Sequence, residues 1–166
     1  MKTEIIYDIT DSALERAGET VRNGGLVAFP TETVYGLGGN ALDPCSAKKI
    51  YAAKGRPSDN PLIVHLAYPD EAEEYCEVNG TFRTLAKAFM PGLLTVILPK
   101  KDIIPPEVTG GLDSVAIRVP VDGTAHRFIE KAKRPIAAPS ANVSGRPSPT
   151  TAAHVIEDME DRKSVV

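Results

Sequence analysis

The chain has 166 residues, 42% of them hydrophobic and 25% charged, and its formal net charge is −3. These values fit one soluble globular domain with a core of its own, and the negative charge argues against a general nucleic-acid coat while leaving room for a local basic patch. Only 5% of the residues are aromatic and tryptophan is absent, so stacking on bases cannot be the main binding device.

Apolar spacing and turn residues predict alternating helices and strands along the chain. Asp43-Pro44, for example, places an N-cap residue before a proline at the first helical position. The predicted helices cover residues 11–22, 43–54, 69–77, 81–90, 124–133 and 150–160. The predicted strands cover residues 26–29, 62–66, 93–98, 115–119 and 136–138. Three stretches rich in glycine, proline or polar residues are predicted as loops: 31–40, 99–111 and 139–149.

This alternation predicts an α/β fold of three layers, in which helices cover both faces of an open, twisted sheet. Because several strands are joined by a loop alone, the sheet is predicted to be mixed. The whole chain, residues 1–166, is predicted to form a single domain. Ligands of such sheets bind on the loops beyond the strand ends, so the functional site is expected there.

The N-terminus has no long apolar stretch of the kind that signal peptides carry, and no apolar run reaches membrane-spanning length. The expected location is therefore the cytoplasm, with no membrane partner. Cys45 and Cys76 form no Cys-x-x-Cys pair and the three histidines stand singly. No metal-ligand spacing results, so no metal bound by protein side chains is predicted.

The segment Lys54–Pro61 combines two cations with two prolines directly before an apolar strand. Lys54 and Arg56 are two residues apart, so both side chains can point to one side of an extended turn, and Pro57 biases Arg56 toward extended geometry. Cations held on a rigid turn at a sheet edge are typical of phosphate and carboxylate sites. The alternative is an ordinary solvated basic turn.

Two further segments at predicted strand ends carry hydroxyl and amide groups. Thr31 and Thr33 are two residues apart after the first predicted strand, so they share one side of an extended chain, and the carboxylate of Glu32 lies between them. The alternative is an ordinary transition from strand to loop in which Glu32 is solvated. Ser140 and Asn142 are likewise two apart after the last predicted strand, where such groups bind phosphate oxygens or the water shell of a metal. Because these residue types also form ordinary loops, plain loops are the alternative.

Arg118 stands between apolar neighbours in a predicted strand and needs an anionic partner, either an internal acid or a ligand carboxylate. His65 also lies in an apolar strand, where a histidine is commonly a satisfied core residue. Together the residues predict an anion site built from Lys54, Arg56, Ser140 and Arg118. Because no P-loop, Gly-x-Gly-x-x-Gly motif or nucleophile triad is recognisable, positioning and charge stabilisation are favoured over covalent catalysis.

Six sequence blocks follow one another over nearly the whole chain: Gly24-Gly-Leu-Val-Ala-Phe-Pro-Thr-Glu-Thr-Val-Tyr-Gly-Leu37, Lys54-x-Arg56-Pro, Asn60-Pro-Leu-Ile-Val-His65, Pro91-Gly-Leu-Leu-Thr95, Val115-Ala-Ile-Arg-Val-Pro120 and Ala138-Pro-Ser-Ala-Asn-Val-Ser-Gly145. In this order they resemble the YrdC-like family, the threonylcarbamoyl-AMP synthases of tRNA modification. The resemblance implies that L-threonine, bicarbonate and ATP give threonylcarbamoyl-AMP and pyrophosphate. A partner transferase would then pass the threonylcarbamoyl group to an adenosine of tRNA.

The resemblance also implies roles for individual residues. The family's Lys-x-Arg and Ser-x-Asn signature, and with it the catalytic role, falls on Lys54, Arg56, Ser140 and Asn142. Contacts to threonine are implied for Thr33, His65, Arg118 and Ala138. Contacts to ATP are implied for Lys54, Arg56, Asn60, Ser114, Ser140 and Ser148. Mg²⁺ is expected to be held mainly by phosphates and water.

Family members usually continue into a further strand and a Ser-Thr element that helps close the threonine pocket, so a shortened single domain is expected here. Two alternatives stay open. One is a double-stranded RNA- or tRNA-binding protein without turnover, against which the net charge of −3 weighs. The other is a related carbamoyl-adenylating activity, as in hydrogenase maturation, although those relatives are longer and carry zinc-binding cysteines.

Overall fold

The computed structural model of the protein describes residues 3–160 and 164–165. Its helices are α1 (Asp11–Arg22), α2 (Pro44–Lys54), α3 (Ala72–Tyr75), α4 (Gly80–Phe89), α5 (Pro106–Thr109), α6 (Gly123–Ala132) and α7 (Ala152–Met159), with a 3₁₀ turn over Pro69–Glu71. Its strands are β1 (Leu26–Phe29), β2 (Gly36–Asn40), β3 (Ile63–His65), β4 (Thr95–Pro99), β5 (Ser114–Arg118), β6 (Ile136–Ala138) and β7 (Ser164–Val165).

These strands form one sheet in the order β4-β5-β3-β6-β2-β1-β7. β3 and β5 run parallel, as do β1 and β7, and the other neighbours are antiparallel. The predicted mixed sheet is therefore confirmed. The parallel register places His65 of β3 beside Arg118 of β5, so the two side chains leave the sheet on the same face.

Helices cover both faces of the sheet, as predicted. Leu26 and Ala28 of β1 belong to a core shared with α2 and α7, whereas Val27 and Phe29 belong to a second core shared with α1 and α6. This alternation follows from the two-residue period of a strand. The same face of the sheet that carries the second core is exposed to solvent at β4, where Ile97 is 69% exposed.

Most predicted elements are confirmed, with ends displaced by at most two residues. Helix 11–22 and strands 26–29 and 136–138 agree residue for residue. The predicted helix over 69–77 is wrong as a single helix, since the chain forms a 3₁₀ turn followed by the four-residue α3. It stops there because Cys76 becomes extended and forms a bridge with Lys100.

The loop predictions miss two elements, β2 within 31–40 and the short helix α5 within 99–111. Glycine is rare in strands, yet packing requires glycine in β2. A Cβ at Gly38 would lie 2.6 Å from Ile136 Cγ2 and 2.8 Å from Phe29 Cε1. The neighbouring side chains therefore decide the composition of this strand, and its own propensity gives no signal.

Gly18 sets the distance between α1 and α6, since a Cβ there would lie 2.7 Å from both C and O of Lys131. Replacing glycine with alanine in an exposed part of a helix raises the free energy of unfolding by about 1 kcal/mol. At Gly18, however, the added methyl group would meet backbone atoms of α6, which cannot move aside as a flexible side chain can. We expect Gly18→Ala to lower the free energy of unfolding by about 1–3 kcal/mol, measured by urea denaturation. Gly80→Ala is the control, because a Cβ there meets nothing within 4 Å. Equal effects of the two substitutions would contradict the close approach.

Candidate functional site

A pocket of about 100 Å³ lies where the loop after β1, the loop after β6 and the open sheet face meet. Its lining includes Thr33, His65, Arg118, Ala138 and Ser140. The first four are the residues predicted to contact threonine, and the fifth is among those predicted for ATP. Strand order brings them together, because β3 lies between β5 and β6 in the sheet.

Arg118 has an internal acid as its partner. Its Nη2 donates to Glu32 Oε1 at 2.9 Å and to Thr33 Oγ1 at 3.2 Å. The Arg118 and Glu32 side chains are only 11% and 15% exposed. The alternative of an ordinary loop with a solvated Glu32 is therefore wrong, because a largely buried guanidinium needs a counter-charge. Sequence reasoning missed Glu32, and the signal that could have found it is Arg118, whose need for an acid was evident.

Glu32 is ionised at neutral pH. Burial acts to raise its pKa, but the hydrogen bonds that the carboxylate accepts from its own backbone N–H and from Arg118 outweigh burial and lower it. Two atoms of the pair, Glu32 Oε2 and Arg118 Nε, are buried and find no hydrogen-bond partner among residues 3–160 and 164–165. Such orphaned groups cost free energy.

His65 is a neutral member of the pocket. It is 4% exposed, its Nδ1 lies 3.2 Å from the carbonyl oxygen of Ile63, and its ring meets the Phe29 ring edge-on at 5.9 Å. Burial is the main cause that lowers the His65 pKa to about 4, and the positive charge of Arg118 adds to it. The imidazole can therefore offer a hydrogen bond to a ligand but no charge.

This buried imidazole predicts a loss of stability in acid. Between pH 6.5 and about 4 the unfolded chain takes up a proton at His65 that the folded chain does not, so falling pH favours unfolding. Between pH 7 and pH 4 the wild-type chain should lose about 2–3 kcal/mol more stability than His65→Gln. Urea unfolding of both proteins at both pH values measures the difference, since the carboxylates are common to both. Equal losses would contradict a neutral buried His65.

Lys54 holds the loop that follows β6. It is the last residue of α2 and is 1% exposed. Its ammonium donates to the backbone oxygens of Ser140, at 2.5 Å, and of Asn142, and lies 3.5 Å from Asn142 Oδ1. Burial lowers the Lys54 pKa to about 8, with the nearby charge of Arg56 as a second cause. Lys54 thus contacts the pocket through Ser140.

Arg56 has a different set of partners. The predicted extended turn is not formed, because α2 continues to Lys54 and Gly55 ends it in the left-handed conformation, at φ 61°. The Arg56 guanidinium then donates to the backbone oxygens of Asn60 at 3.3 Å and Pro61 at 3.2 Å. The two cations of the Lys-x-Arg signature therefore lie in different environments. Lys54 is buried beneath the loop that follows β6, and Arg56 lies nearer the surface.

Asn142 shapes the same loop. It is 6% exposed, and its Nδ2 donates to the backbone oxygens of Val143 and Arg146, each at 2.9 Å. Asp158 of α7 accepts from the Val143 N–H at 3.0 Å and from the Arg146 guanidinium at 2.6 Å. Asn142 and Lys54 therefore fix the loop from within, and Ser140 is the member of the Ser-x-Asn pair that lines the pocket.

The remaining residues predicted for ATP lie outside the lining of this pocket. Ser114 begins β5, on the same face as Arg118, because the two are four residues apart in one strand. Asn60 is exposed beside Arg56. Ser148 is exposed and lines a separate surface hollow with Arg146. The fold thus gathers the residues predicted for threonine and leaves those predicted for ATP spread around them.

The chain is similar to known proteins in sequence and in fold. The profile of the Sua5/YciO/YrdC family, which carries the description "telomere recombination", matches residues 19–166. The chain belongs to this family. The resemblance that the sequence blocks indicate is therefore confirmed, and so is the α/β fold with a mixed open sheet.

The relatives show how much of a longer protein this chain matches. The threonylcarbamoyl-AMP synthase of Pyrococcus abyssi is 57% identical over 140 residues, which cover 84% of this chain and 41% of that protein. The threonylcarbamoyl-AMP synthase of Bacillus subtilis is 52% identical over 171 residues, covering 98% and 49%. The solved structure of P. abyssi Sua5 complexed with L-threonine has a TM-score of 0.95 and 50% identity, covering 98% of this chain and 49% of that one. This chain therefore spans about half the length of these Sua5 family members, or less.

Proposed function

We propose that this chain carries the site that makes threonylcarbamoyl-AMP and pyrophosphate from L-threonine, bicarbonate and ATP. The observation that carries the proposal is the pocket at Arg118, which gathers Thr33, His65 and Ala138 beside Ser140. Relatives that are 57% and 52% identical bear the name threonylcarbamoyl-AMP synthase. The Sua5 structure that superposes with a TM-score of 0.95 contains L-threonine.

The pocket has the chemistry for a small hydroxylated amino acid. In this proposal Arg118 binds the carboxylate of threonine with Nη1, because Nη2 already donates to Glu32 and Thr33 and Nε is buried. Neutral His65 offers a hydrogen bond but no charge that would compete with Arg118 for the carboxylate. Ala138 contributes only a small side chain to the lining of the pocket. A volume of about 100 Å³ favours an amino acid of this size over a large one.

ATP would lie along the open sheet face next to this pocket. Bicarbonate carboxylates the threonine nitrogen with loss of water and, from the ammonium group, of a proton. An oxygen of the resulting carbamate then attacks the α-phosphorus. The new O–P bond forms as the bond to pyrophosphate breaks, and negative charge develops on the phosphate oxygens. Arg56 is placed near the surface to offset that charge. Ser140 contributes its hydroxyl, and Lys54 acts by holding the Ser140 loop in place.

Magnesium is proposed to accompany ATP and to partly neutralise its phosphates. Within the part of the chain that the structure describes, no group of three or more His, Cys, Asp or Glu residues could hold a metal ion. Ser140 and the carbonyls of its loop are oxygen donors, which suits an ion that keeps most of its water and binds through phosphates. We therefore assign its main ligands to the nucleotide.

The remaining partners are proposed on the same basis. A transferase would accept threonylcarbamoyl-AMP and modify an adenosine of tRNA, and the cytoplasm stays the predicted compartment. No helix among residues 3–160 and 164–165 is long and apolar enough to cross a membrane.

The test is an assay of pyrophosphate release with ATP, labelled L-threonine and bicarbonate, with thin-layer separation of the adenylate. Release that needs all three substrates, together with a labelled adenylate, is the expected result. Release without threonine, or none from a folded chain, would contradict the proposal. Salt-sensitive retention of RNA without pyrophosphate release would favour the RNA-binding alternative instead.

A further inference from the structure

We propose that Glu32 is a positioning residue that fixes Arg118 and balances its charge, so that the pocket selects an amino acid with both an ammonium and a carboxylate group over a plain carboxylic acid of the same shape. The inference rests on the proposed function, because it takes the pocket at Arg118 as the amino-acid site. Glu32 acts through Arg118 and is not required to touch the substrate.

The geometry leaves part of Arg118 unused. Among the described residues, all hydrogen bonds of the Arg118 side chain leave from Nη2, toward Glu32 and Thr33. Nε is buried without an acceptor, and Nη1 forms no hydrogen bond within the part of the chain that the structure describes. Glu32 and Thr33 therefore occupy the Nη2 corner of the guanidinium and leave Nη1 to bind a carboxylate, which fixes the direction from which that carboxylate approaches.

Glu32 is held in position before any ligand arrives. The hydroxyl of Thr31 donates to the Val34 carbonyl at 2.7 Å and accepts from the backbone N–H groups of Thr33, at 3.2 Å, and Val34, at 3.3 Å. This closes the loop after β1 into a compact turn. The backbone N–H groups of Glu32 itself and of Val121 also help to lower the pKa of this carboxyl group. Glu32 is thus a rigid support for the Arg118 side chain.

The charges of the residues that line the pocket, counted together with Glu32, add up to nearly zero, and the Lys54 ammonium lies outside this lining. Arg118 is the cation in the lining, His65 is neutral at physiological pH, and Glu32 lies 2.9 Å from the Arg118 guanidinium. An isolated buried guanidinium would attract any small carboxylate. Paired with Glu32 the guanidinium has little net charge, so a simple anion gains less from it, and the ammonium group of an amino acid is not repelled as it would be by an isolated cation.

Titration calorimetry on the wild-type chain and on Glu32→Gln tests this with two ligands, L-threonine and (R)-3-hydroxybutyrate, which is threonine without its amino group. The wild-type chain should bind threonine at least about tenfold more tightly. Glu32→Gln keeps the shape of the side chain but removes its charge. We expect the threonine preference to fall about tenfold, mainly because 3-hydroxybutyrate binds more tightly.

Two further variants separate charge from packing. Glu32→Asp keeps the charge on a shorter side chain, so both ligands should bind more weakly while their ratio stays within about threefold of wild type. Glu73→Gln removes the charge of another ion-paired glutamate, which is exposed and does not line the pocket, and it too should leave the ratio within this range. A ratio that changes as much in Glu73→Gln as in Glu32→Gln would overturn the inference.

The outcomes also distinguish this inference from the proposed function. If the wild-type chain binds threonine but shows no preference over 3-hydroxybutyrate, the inference is overturned even if Glu32→Gln fails to fold. An unchanged ratio in folded Glu32→Gln overturns it equally. In both cases the proposed function stands, because threonine still binds. If the folded wild-type chain binds neither ligand, both are overturned.

Discussion

Replacing Arg118 with alanine should lower threonine affinity and threonine-dependent pyrophosphate release by about 100-fold or more, because the charge-assisted contact to the substrate carboxylate is lost. The substitution also leaves Glu32, which is 15% exposed, without its cation. A carboxylate stranded in this way destabilises the fold, by about 2–3 kcal/mol. Calorimetry with threonine and urea denaturation measure the two effects separately.

Arg83→Ala is a matched control for this substitution. Arg83 also pairs with a glutamate, Glu73, but the two side chains are 59% and 52% exposed. Exposed ion pairs contribute little, so stability should change by less than about 0.5 kcal/mol and activity should not change. In Arg118→Gln/Glu32→Gln no charge is left unpaired, so this double variant should regain stability without regaining activity. Normal threonine affinity in folded Arg118→Ala would show that the carboxylate binds elsewhere.

Replacing Lys54 with methionine should lower adenylation by about 100-fold or more while the fold is retained. Two backbone carbonyls, those of Ser140 and Asn142, lose the ammonium that they accept from. A shift of the Ser140 loop by about 1 Å is enough to cost two orders of magnitude in rate. Stability should fall by only about 1–2 kcal/mol, since removing a buried charge also removes its desolvation cost.

Lys49→Met provides the control on the same helix. Lys49 also donates to a backbone carbonyl, that of Gly24 at 2.6 Å, but its side chain is exposed and does not line the pocket. Its activity should equal that of the wild-type chain. Pyrophosphate release by Lys54→Met at the wild-type rate, with an intact circular-dichroism spectrum, would rule out the loop-holding role of Lys54.

Local chemistry explains why many elements of this fold could be predicted. The side chain of Thr10 accepts a hydrogen bond from the Ala13 N–H at 3.2 Å, and that of Asp43 accepts one from the Cys45 N–H at 2.9 Å. A few adjacent residues therefore determine where α1 and α2 begin. The short apolar run 26–29 likewise became a buried strand. Such signals need no information from the rest of the chain.

The sequence by itself determined the positions of most helices and strands, the family, and the residue types that the pocket gathers, because capping, periodicity and motif order are local properties. Only the tertiary structure decided which of those residues meet. Arg118 meets Glu32, and Lys54 meets Ser140, each across 86 positions of the chain. These contacts depend on strand order and register, which also force glycine into β2 beside Phe29 and Ile136. Contacts between distant segments follow from packing, and no neighbouring residue in the sequence encodes them.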